Sequence, residues 1–286
     1  MWSCSGSGCE TTLRAETRGL RAAVLGRPVG HSLSPVLHRA AYEALGLTDW
    51  TYDALDIGAE DLPVLLAGLG EEWRGFSVTM PCKQAAVDVA DVVEPLPRLL
   101  HAANTLVRTP EGWRAENTDV TGVGMALQLA GVEQVGSAVV IGAGGTAAAA
   151  AVALASLGAE LVEVVVRDPA RATDVLRVLG TLGVPAEVIP LADAALDAPL
   201  VVSTVPVDAQ PALLGLPWRA EHTLLDVLYA PWPTVLAERV AAAGGTVAGG
   251  LDVLFWQATA QVELMTGLPA PIAAMRTALD AAVATR

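Results

Sequence analysis

The stretch Ser137–Ala147, with the sequence SAVVIGAGGTA, decides the fold class. Its opening residues form an apolar, largely β-branched run that predicts a buried strand. A glycine-rich turn of the form G-x-G-x-x-A follows at once, and the Ala-rich segment after the turn predicts a helix. A strand, a glycine turn and a helix in this order are typical of the first unit of a dinucleotide-binding α/β domain.

The small residues of this turn have predicted physical roles. Gly142 permits the tight turn, Gly144 lets the backbone approach a pyrophosphate, and Ala147 keeps the helix close to the strand. The helix N-terminus supplies N–H donors and a partial positive charge, which attract an anion even in an acidic protein. A purely structural turn is the alternative. The predicted cofactor-binding residues of the turn are Gly142, Ala143, Gly144, Gly145, Thr146 and Ala147.

The residues after the next predicted strand, Leu161–Val166, bear on the choice between NAD and NADP. An acidic residue there accepts hydrogen bonds from the ribose of NAD, whereas an arginine pairs with the 2′-phosphate of NADP. Arg167 occupies this position, and Arg171 lies one helical turn further on, where it can close a two-arginine clamp. Asp168 followed by Pro169 is typical of a helix start that the carboxylate caps. We therefore expect NADP, with ordinary surface arginines as the alternative.

Outward from this stretch, the whole chain from Leu20 alternates short β-branched runs with Ala- and Leu-rich helical segments, as βαβ units do. Its 286 residues accommodate two lobes. The predicted fold class is α/β, with an N-terminal α/β substrate-binding domain, a Rossmann-type dinucleotide-binding domain, and C-terminal helices that return to the first lobe. The predicted segments are a loose tail at 1–19, the substrate-binding domain at 20–118, the dinucleotide-binding domain at 119–249 and the returning helices at 250–286. The other predicted strands are Ala22–Leu25, Trp50–Leu55, Phe76–Thr79, Asn104–Arg108, Glu187–Ile189, Leu200–Val205, Leu224–Leu228 and Thr246–Ala248.

Composition argues against several classes of function. The net charge of −14 gives no basic surface to attract nucleic acid or an anionic membrane. The most apolar segment is too interrupted to span a bilayer, and the tail lacks the apolar centre of a signal peptide. Cys4, Cys9 and Cys82 lack the spacing of a disulfide framework or a zinc site. We expect a cytoplasmic protein that binds small molecules and holds no metal ion.

Four polar clusters in the first half of the chain lie near predicted strand ends. In the first cluster, hydroxyls and helix N–H groups suit a carboxylate. The second carries Lys83 just beyond an apolar strand. Each cluster also has an ordinary interpretation: Ser34 and Asp119 cap helices, and a lysine is usually solvated. The clusters are Gly26–Pro35, Ser77–Lys83, Ala102–Thr105 and Glu116–Asp119.

Taken together, these clusters make the sequence similar to the shikimate dehydrogenase family from about Arg21 to the end. A glycine loop with HS-x-SP matches at His31–Pro35, and the family's N-V-T-x-P-x-K element matches at Ser77–Lys83. The A-x-N-T and N-T-D elements match at Ala102–Thr105 and Asn117–Asp119, in the order that the family shows.

The resemblance continues in the second half of the chain. Tyr229 with Pro231, and Gly250-Leu251 followed by Gln257, are similar to later segments of the family. The departures from the pattern leave every reacting group in place, and those at Ser77 and Asp252 bear on affinity and substrate choice. They are Ser77 where Asn is common, Ala115 where Gly is usual, and Asp252 in the later glycine-rich segment.

The resemblance implies an NADP-dependent enzyme that reduces 3-dehydroshikimate to shikimate on the route to chorismate and the aromatic amino acids. It implies that Lys83 and Asp119 form the catalytic pair: the cofactor delivers a hydride to carbon, and Lys83 delivers a proton to oxygen. It also implies that Ser32 and Ser34 hold the substrate carboxylate. The implied substrate-binding residues are Ser32, Ser34, Thr79, Lys83, Asn104, Asp119, Tyr229 and Gln257, and Gly250 joins the cofactor-binding residues.

Three other interpretations stay open at this point. An NAD-preferring quinate/shikimate dehydrogenase would use Asp168 to bind the ribose. A ligand-sensing paralogue without catalysis, or a structural subunit that binds a dinucleotide, would retain the fold alone. The presence of Lys83 and Asp119 argues against the ligand-sensing paralogue, and a structural subunit would leave the polar clusters of the first lobe unexplained. We expect a monomer or a homodimer.

Overall fold

The computed structural model describes residues 19–285, which form two compact units. Unit 1 contains the described residues up to Pro97, together with Ala102–Glu116 and the residues from Ala258 onward. Unit 2 contains Arg98–His101 and Asn117–Gln257. The predicted tail, apart from Gly19, lies outside the described residues, as do the first two cysteines. The predicted α/β class is confirmed, because each unit is built on its own sheet with helices between the strands.

Unit 1 contains a mixed sheet with the strand order β2-β1-β3-β5-β6-β4. Strand β1 runs parallel to its neighbours β2 and β3, whereas β5 is antiparallel to both β3 and β6. The predictions missed the short strand β4 and the second strand of the β5–β6 hairpin. The strands are β1 (Arg21–Gly26), β2 (Thr51–Asp56), β3 (Trp73–Val78), β4 (Val92–Val93), β5 (Thr105–Thr109) and β6 (Gly112–Glu116).

Unit 2 contains a parallel sheet with the strand order β12-β11-β10-β7-β8-β9. The predicted strands of this lobe are confirmed, with ends that shift by a few residues. The strands are β7 (Ser137–Ile141), β8 (Leu161–Val166), β9 (Ala186–Pro190), β10 (Leu200–Ser203), β11 (Thr223–Asp226) and β12 (Thr246–Gly249).

The α-helices follow the Ala- and Leu-rich segments. All residues from Ala147 to Leu154 in α6 are buried, and their small side chains allow the helix to lie close to the elements around it. The helices are α1 (Ser34–Ala44), α2 (Leu62–Ala67), α3 (Lys83–Val89), α4 (Pro95–Leu100), α5 (Asp119–Leu129), α6 (Gly145–Ser156), α7 (Thr173–Thr181), α8 (Val235–Ala242), α9 (Gly250–Thr266) and α10 (Ile272–Ala284).

The C-terminal helices contribute to both units. The division between the units falls inside α9, after Gln257, and α10 packs against α1 within unit 1. The largely aliphatic core of unit 1 contains an aromatic cluster: Phe76 stacks on Trp73 with ring centroids 5.0 Å apart, and Trp113 approaches Phe76 from the neighbouring hairpin. Between residues 19 and 285, no helix is both long and apolar enough to cross a membrane.

Candidate active site

Two predicted site loops of unit 1 meet at the carboxyl ends of β1 and β3. Thr79 donates its backbone N–H to the carbonyl of Leu25 over 2.8 Å, and Arg27 donates its N–H to the carbonyl of Met80 over 3.0 Å. A Cβ at Gly26 would overlap the Thr79 side chain, so the first loop needs glycine where it leaves its strand. The parallel pairing of β1 with β3 thus brings the Gly26–Pro35 cluster beside the Ser77–Lys83 cluster.

The start of α1 differs from the prediction. Ser34 was expected to cap this helix, but it is the first helical residue, Leu33 is the cap residue, and the cap makes no side-chain hydrogen bond. Ser32 takes over part of this function, since its hydroxyl accepts the backbone N–H of Ser34 over 3.2 Å. Ser34 is buried and Ser32 is partly buried. The two hydroxyls therefore lie at the N-terminus of one helix, where the helix dipole favours an anion.

The predicted Lys83 is the first residue of α3 and is half-buried. Its carbonyl accepts the N–H of Ala103 over 2.9 Å, and the carbonyl of Asn104 accepts the N–H of Val78 over 2.7 Å. These two bonds tie the Ala102–Thr105 cluster to the segment that carries Lys83. Unit 1 therefore gathers the segments of the predicted residues Ser32, Ser34, Thr79, Lys83 and Asn104.

Unit 2 holds the other predicted catalytic residue. Asp119 is buried as the first residue of α5, and its N–H donates to Asn117 Oδ1 over 3.0 Å. Thr118 donates its hydroxyl to the carbonyl of Gln257 over 3.0 Å. A Cβ at Gly122 would overlap the carbonyl of Val253, so glycine allows α5 to approach α9 closely. The packing of these helices brings the chain segments of Asp119 and Gln257 together.

The glycine turn at the end of β7 has the conformation that a dinucleotide site requires. Gly142 has φ +113°, a value that glycine adopts without strain. Gly144 and Gly145 are exposed at the N-terminus of α6, and an added Cβ at Gly144 would meet no atom within 4 Å. Ala147 is fully buried. The helix N-terminus is therefore open to an anion, and these residues fit a dinucleotide.

The residues after β8 retain both cationic groups that NADP would need. Arg167 and Arg171 are exposed, and neither forms a salt bridge with any residue in the described part of the chain. Asp168 accepts the N–H of Ala170 over 3.0 Å and so caps a 3-10 turn at Pro169–Ala172, as predicted. This carboxylate therefore has a structural function of its own.

The loop with Tyr229 is fixed by Asp226, which sequence reasoning missed. Asp226 is fully buried at the end of β11, and its carboxylate accepts the Thr234 hydroxyl over 2.6 Å and the Leu228 N–H over 3.2 Å. Burial raises the pKa of Asp226. Gly250, the first residue of α9, then donates its N–H to the carbonyl of Leu228 over 3.1 Å. The feature of the sequence that pointed to Asp226 was an acidic residue at the end of an apolar strand.

A Cβ at Gly250 would overlap the carbonyl of Val227, so this glycine allows α9 to start directly against the loop after β11. Tyr229, in the same loop, is half-buried. Sequence reasoning also missed Gln261, which is buried one turn after Gln257 in α9. The signal was an amide four residues from a predicted site residue, hence on the same face of the helix.

Comparison with protein-family models gives two matches. A model described as the shikimate dehydrogenase substrate binding domain matches residues 24–106. A model of the shikimate 5′-dehydrogenase C-terminal domain matches residues 250–279. Together they include the segments of Ser32, Lys83, Asn104 and Gln257.

Individual proteins are similar over most of the chain. The NADP(+) shikimate dehydrogenase of Moorella thermoacetica is 37% identical over 266 residues, which are 88% of this chain and 90% of that protein. Mycobacterium tuberculosis shikimate dehydrogenase is 47% identical with a TM-score of 0.83, over 92% of this chain and 99% of that chain. The Thermus thermophilus shikimate 5-dehydrogenase, solved in complex with NADP(H) and shikimate, is 35% identical with a TM-score of 0.79, over 92% of this chain and 99% of that chain.

Proposed function

Because this chain belongs to the shikimate dehydrogenase family, we propose that it catalyses the reversible NADPH-dependent reduction of 3-dehydroshikimate to shikimate. The observation that carries the proposal is the meeting, in unit 1, of the loop that carries the two hydroxyls at the start of α1 with the segments of Lys83 and Asn104. Such a site offers donors for a carboxylate and a cation for a ketone oxygen. We propose the cytoplasm as its compartment, in line with the sparse cysteines.

NADP fits the residues of unit 2. The open N-terminus of α6 suits its pyrophosphate, and the exposed Arg167 and Arg171 suit its 2′-phosphate. When bound, the cofactor supplies the hydride that reduces the carbonyl carbon. The capping role of Asp168 makes it less available to a ribose hydroxyl, which favours NADP over the NAD-preferring alternative.

The protein supplies the proton and the orientation. Lys83 donates a proton to the ketone oxygen and stabilises the negative charge that develops there. Asp119 acts with it as the acid–base partner, as the family resemblance implies. Ser32 and Ser34 hold the carboxylate. The proposed residues around the ring hydroxyls and the ketone are Thr79, Asn104, Tyr229 and Gln257, with Gly250 beside the cofactor.

The reaction itself is tested with purified protein, 3-dehydroshikimate and NADPH. We expect one NADPH to be oxidised for each molecule of shikimate formed, with the product identified by NMR. A ligand-sensing paralogue or a structural subunit would leave the NADPH unconsumed, and that result would contradict the proposal.

A further inference from the structure

A chain of hydrogen bonds runs through the interior of unit 1 behind Asn104. Gln261 in α9 lies at its centre. The amide oxygen Oε1 of Gln261 accepts the hydroxyl of Ser77 over 2.7 Å, and Ser77 accepts the hydroxyl of Tyr52 over 2.5 Å. The amide nitrogen Nε2 of Gln261 donates to the carbonyl of Asn104 over 2.9 Å and to the hydroxyl of Thr105 over 3.0 Å. Thr105 in turn donates to Asn104 Oδ1 over 2.9 Å.

The backbone carbonyl of Asn104 sets the direction of the other hydrogen bonds in this network. The backbone carbonyl of Asn104 can only accept, so the atom of Gln261 that faces it must be the NH2 group. The same NH2 group donates to Thr105, which leaves the single proton of the Thr105 hydroxyl for Asn104. In the structure this proton goes to Asn104 Oδ1, and the reverse orientation of the Asn104 amide would deprive the buried hydroxyl of that acceptor.

Burial makes this arrangement rigid. Tyr52, Ser77, Asn104, Thr105 and Gln261 are each no more than 4% exposed. A buried polar group that loses its partner costs about 1–3 kcal/mol, so an amide flip at Asn104 or Gln261 is strongly disfavoured. The orientation of the Asn104 amide is thus fixed from a helix more than 150 residues away, since Gln261 lies 157 positions from Asn104.

We propose that Gln261 is a positioning residue for substrate binding. Gln261 acts through Thr105, whose hydroxyl holds the amide oxygen of Asn104. The NH2 group of Asn104 is then the end of the amide presented to an oxygen of the substrate. This inference rests on the proposed function, in which Asn104 contacts the ring substituents. It also gives a role to Ser77, one of the departures from the family pattern, because its hydroxyl joins Tyr52 to Gln261.

Thr105→Val tests this role with little change in volume. Valine removes the hydroxyl that fixes Asn104, whereas Thr105→Ser retains it. We expect Thr105→Val to lower kcat/KM for shikimate about tenfold and to leave the KM for NADP unchanged. Thr105→Ser should stay within about twofold of the wild type. A Thr105→Val enzyme with wild-type kcat/KM would overturn the proposal.

A double-mutant cycle distinguishes a positioning effect of Thr105 on Asn104 from a general loss of activity caused by misfolding. If Thr105 acts through Asn104, Thr105→Val should cause no further loss of kcat/KM in an Asn104→Ala background. An equal tenfold loss in both backgrounds would overturn the proposal. Absence of turnover by the wild type would overturn the proposed function itself, whereas an active wild type with an unaffected Thr105→Val overturns the positioning role alone.

Gln261→Met provides an independent test on the helix side. Methionine has a similar length but can make none of the hydrogen bonds of the amide. We expect kcat/KM for shikimate to fall by about 10- to 100-fold, again with an unchanged KM for NADP. Met265→Leu, a buried change in the same helix, is the matched control and should retain activity within about twofold. Equal activities of the two variants would contradict the inference.

Discussion

The hydroxyl of Thr204 occupies the space that a side chain at Gly142 would need. A Cβ at Gly142 overlaps the Thr204 hydroxyl, which donates to the carbonyl of Ile141 over 3.0 Å. The backbone at Gly142 also has a φ of +113°. Gly142→Ala should therefore both destabilise the protein by about 1–3 kcal/mol and weaken NADP binding. Thermal unfolding and a cofactor titration measure the two effects.

Gly144→Ala is the matched control for that substitution. Gly144 has φ −87° and ψ −175°, and no atom lies within 4 Å of an added Cβ. Alanine should leave stability unchanged or raise it by up to about 1 kcal/mol. The methyl group would nevertheless keep the pyrophosphate away from the backbone, so we expect the KM for NADP to rise at least about tenfold. Wild-type affinity of Gly144→Ala for NADP would contradict the predicted binding mode.

Lys83→Ala should lower kcat by about 10² to 10⁴, with a smaller effect on the KM for shikimate, because the proton donor is lost. Steady-state kinetics with saturating NADP measure both constants. Gln84→Ala changes the exposed next residue of the same helix and should leave kcat near the wild-type value. An unchanged kcat in Lys83→Ala would remove Lys83 from the chemistry.

Arg167→Ala should raise the KM for NADPH far more than the KM for NADH. Only NADPH carries the 2′-phosphate with which the guanidinium pairs, so NADH serves as the internal control. Arg171→Ala should shift the same ratio in the same direction. Equal increases for the two cofactors would show that Arg167 does not bind the 2′-phosphate.

His38 predicts a dependence of stability on pH. Burial lowers its pKa from 6.5 to about 3 in the folded protein. Between these values the unfolded chain binds a proton that the folded chain does not, so stability falls as the pH decreases below 6.5. The maximum slope is about 1.4 kcal/mol per pH unit.

His38→Phe should reduce this acid sensitivity. Phenylalanine keeps a ring in the position where His38 stacks on Tyr52, with centroids 4.0 Å apart and planes 18° from parallel. We expect the free energy of unfolding of the wild type to fall relative to that of the variant as the pH decreases from about 7 to about 5. Chemical unfolding at several pH values measures the difference, and parallel curves would contradict the role of His38.

The sequence predicted the features that depend on local pattern. The turn at Gly142 follows an apolar strand, and the cap at Asp168 requires only its own neighbours in the chain. The strand β6 was missed although Trp113 and Ala115 alternate as buried residues in it, because the charged Arg114 between them breaks the apolar run. The feature of the sequence that indicated this strand was the turn immediately before Gly112.

The features that escaped prediction depend on tertiary structure. Ser34 follows the sequence rule for a cap, but the loop places Ser32 so that its hydroxyl accepts the Ser34 N–H. The role of Gln261 depends on where α9 packs relative to β3 and β5. No pattern within α9 specifies those partners, since they lie more than 150 positions away in the chain.

The most direct test of the central claim is a comparison of oxidation rates with four pairs of substrates: shikimate or quinate, each with NADP or NAD. We predict rapid reduction of NADP with shikimate and a much lower kcat/KM for the other three pairs. A preference for quinate with NAD would contradict it in favour of the NAD-preferring alternative, and no turnover with any pair would contradict the assignment as a dehydrogenase.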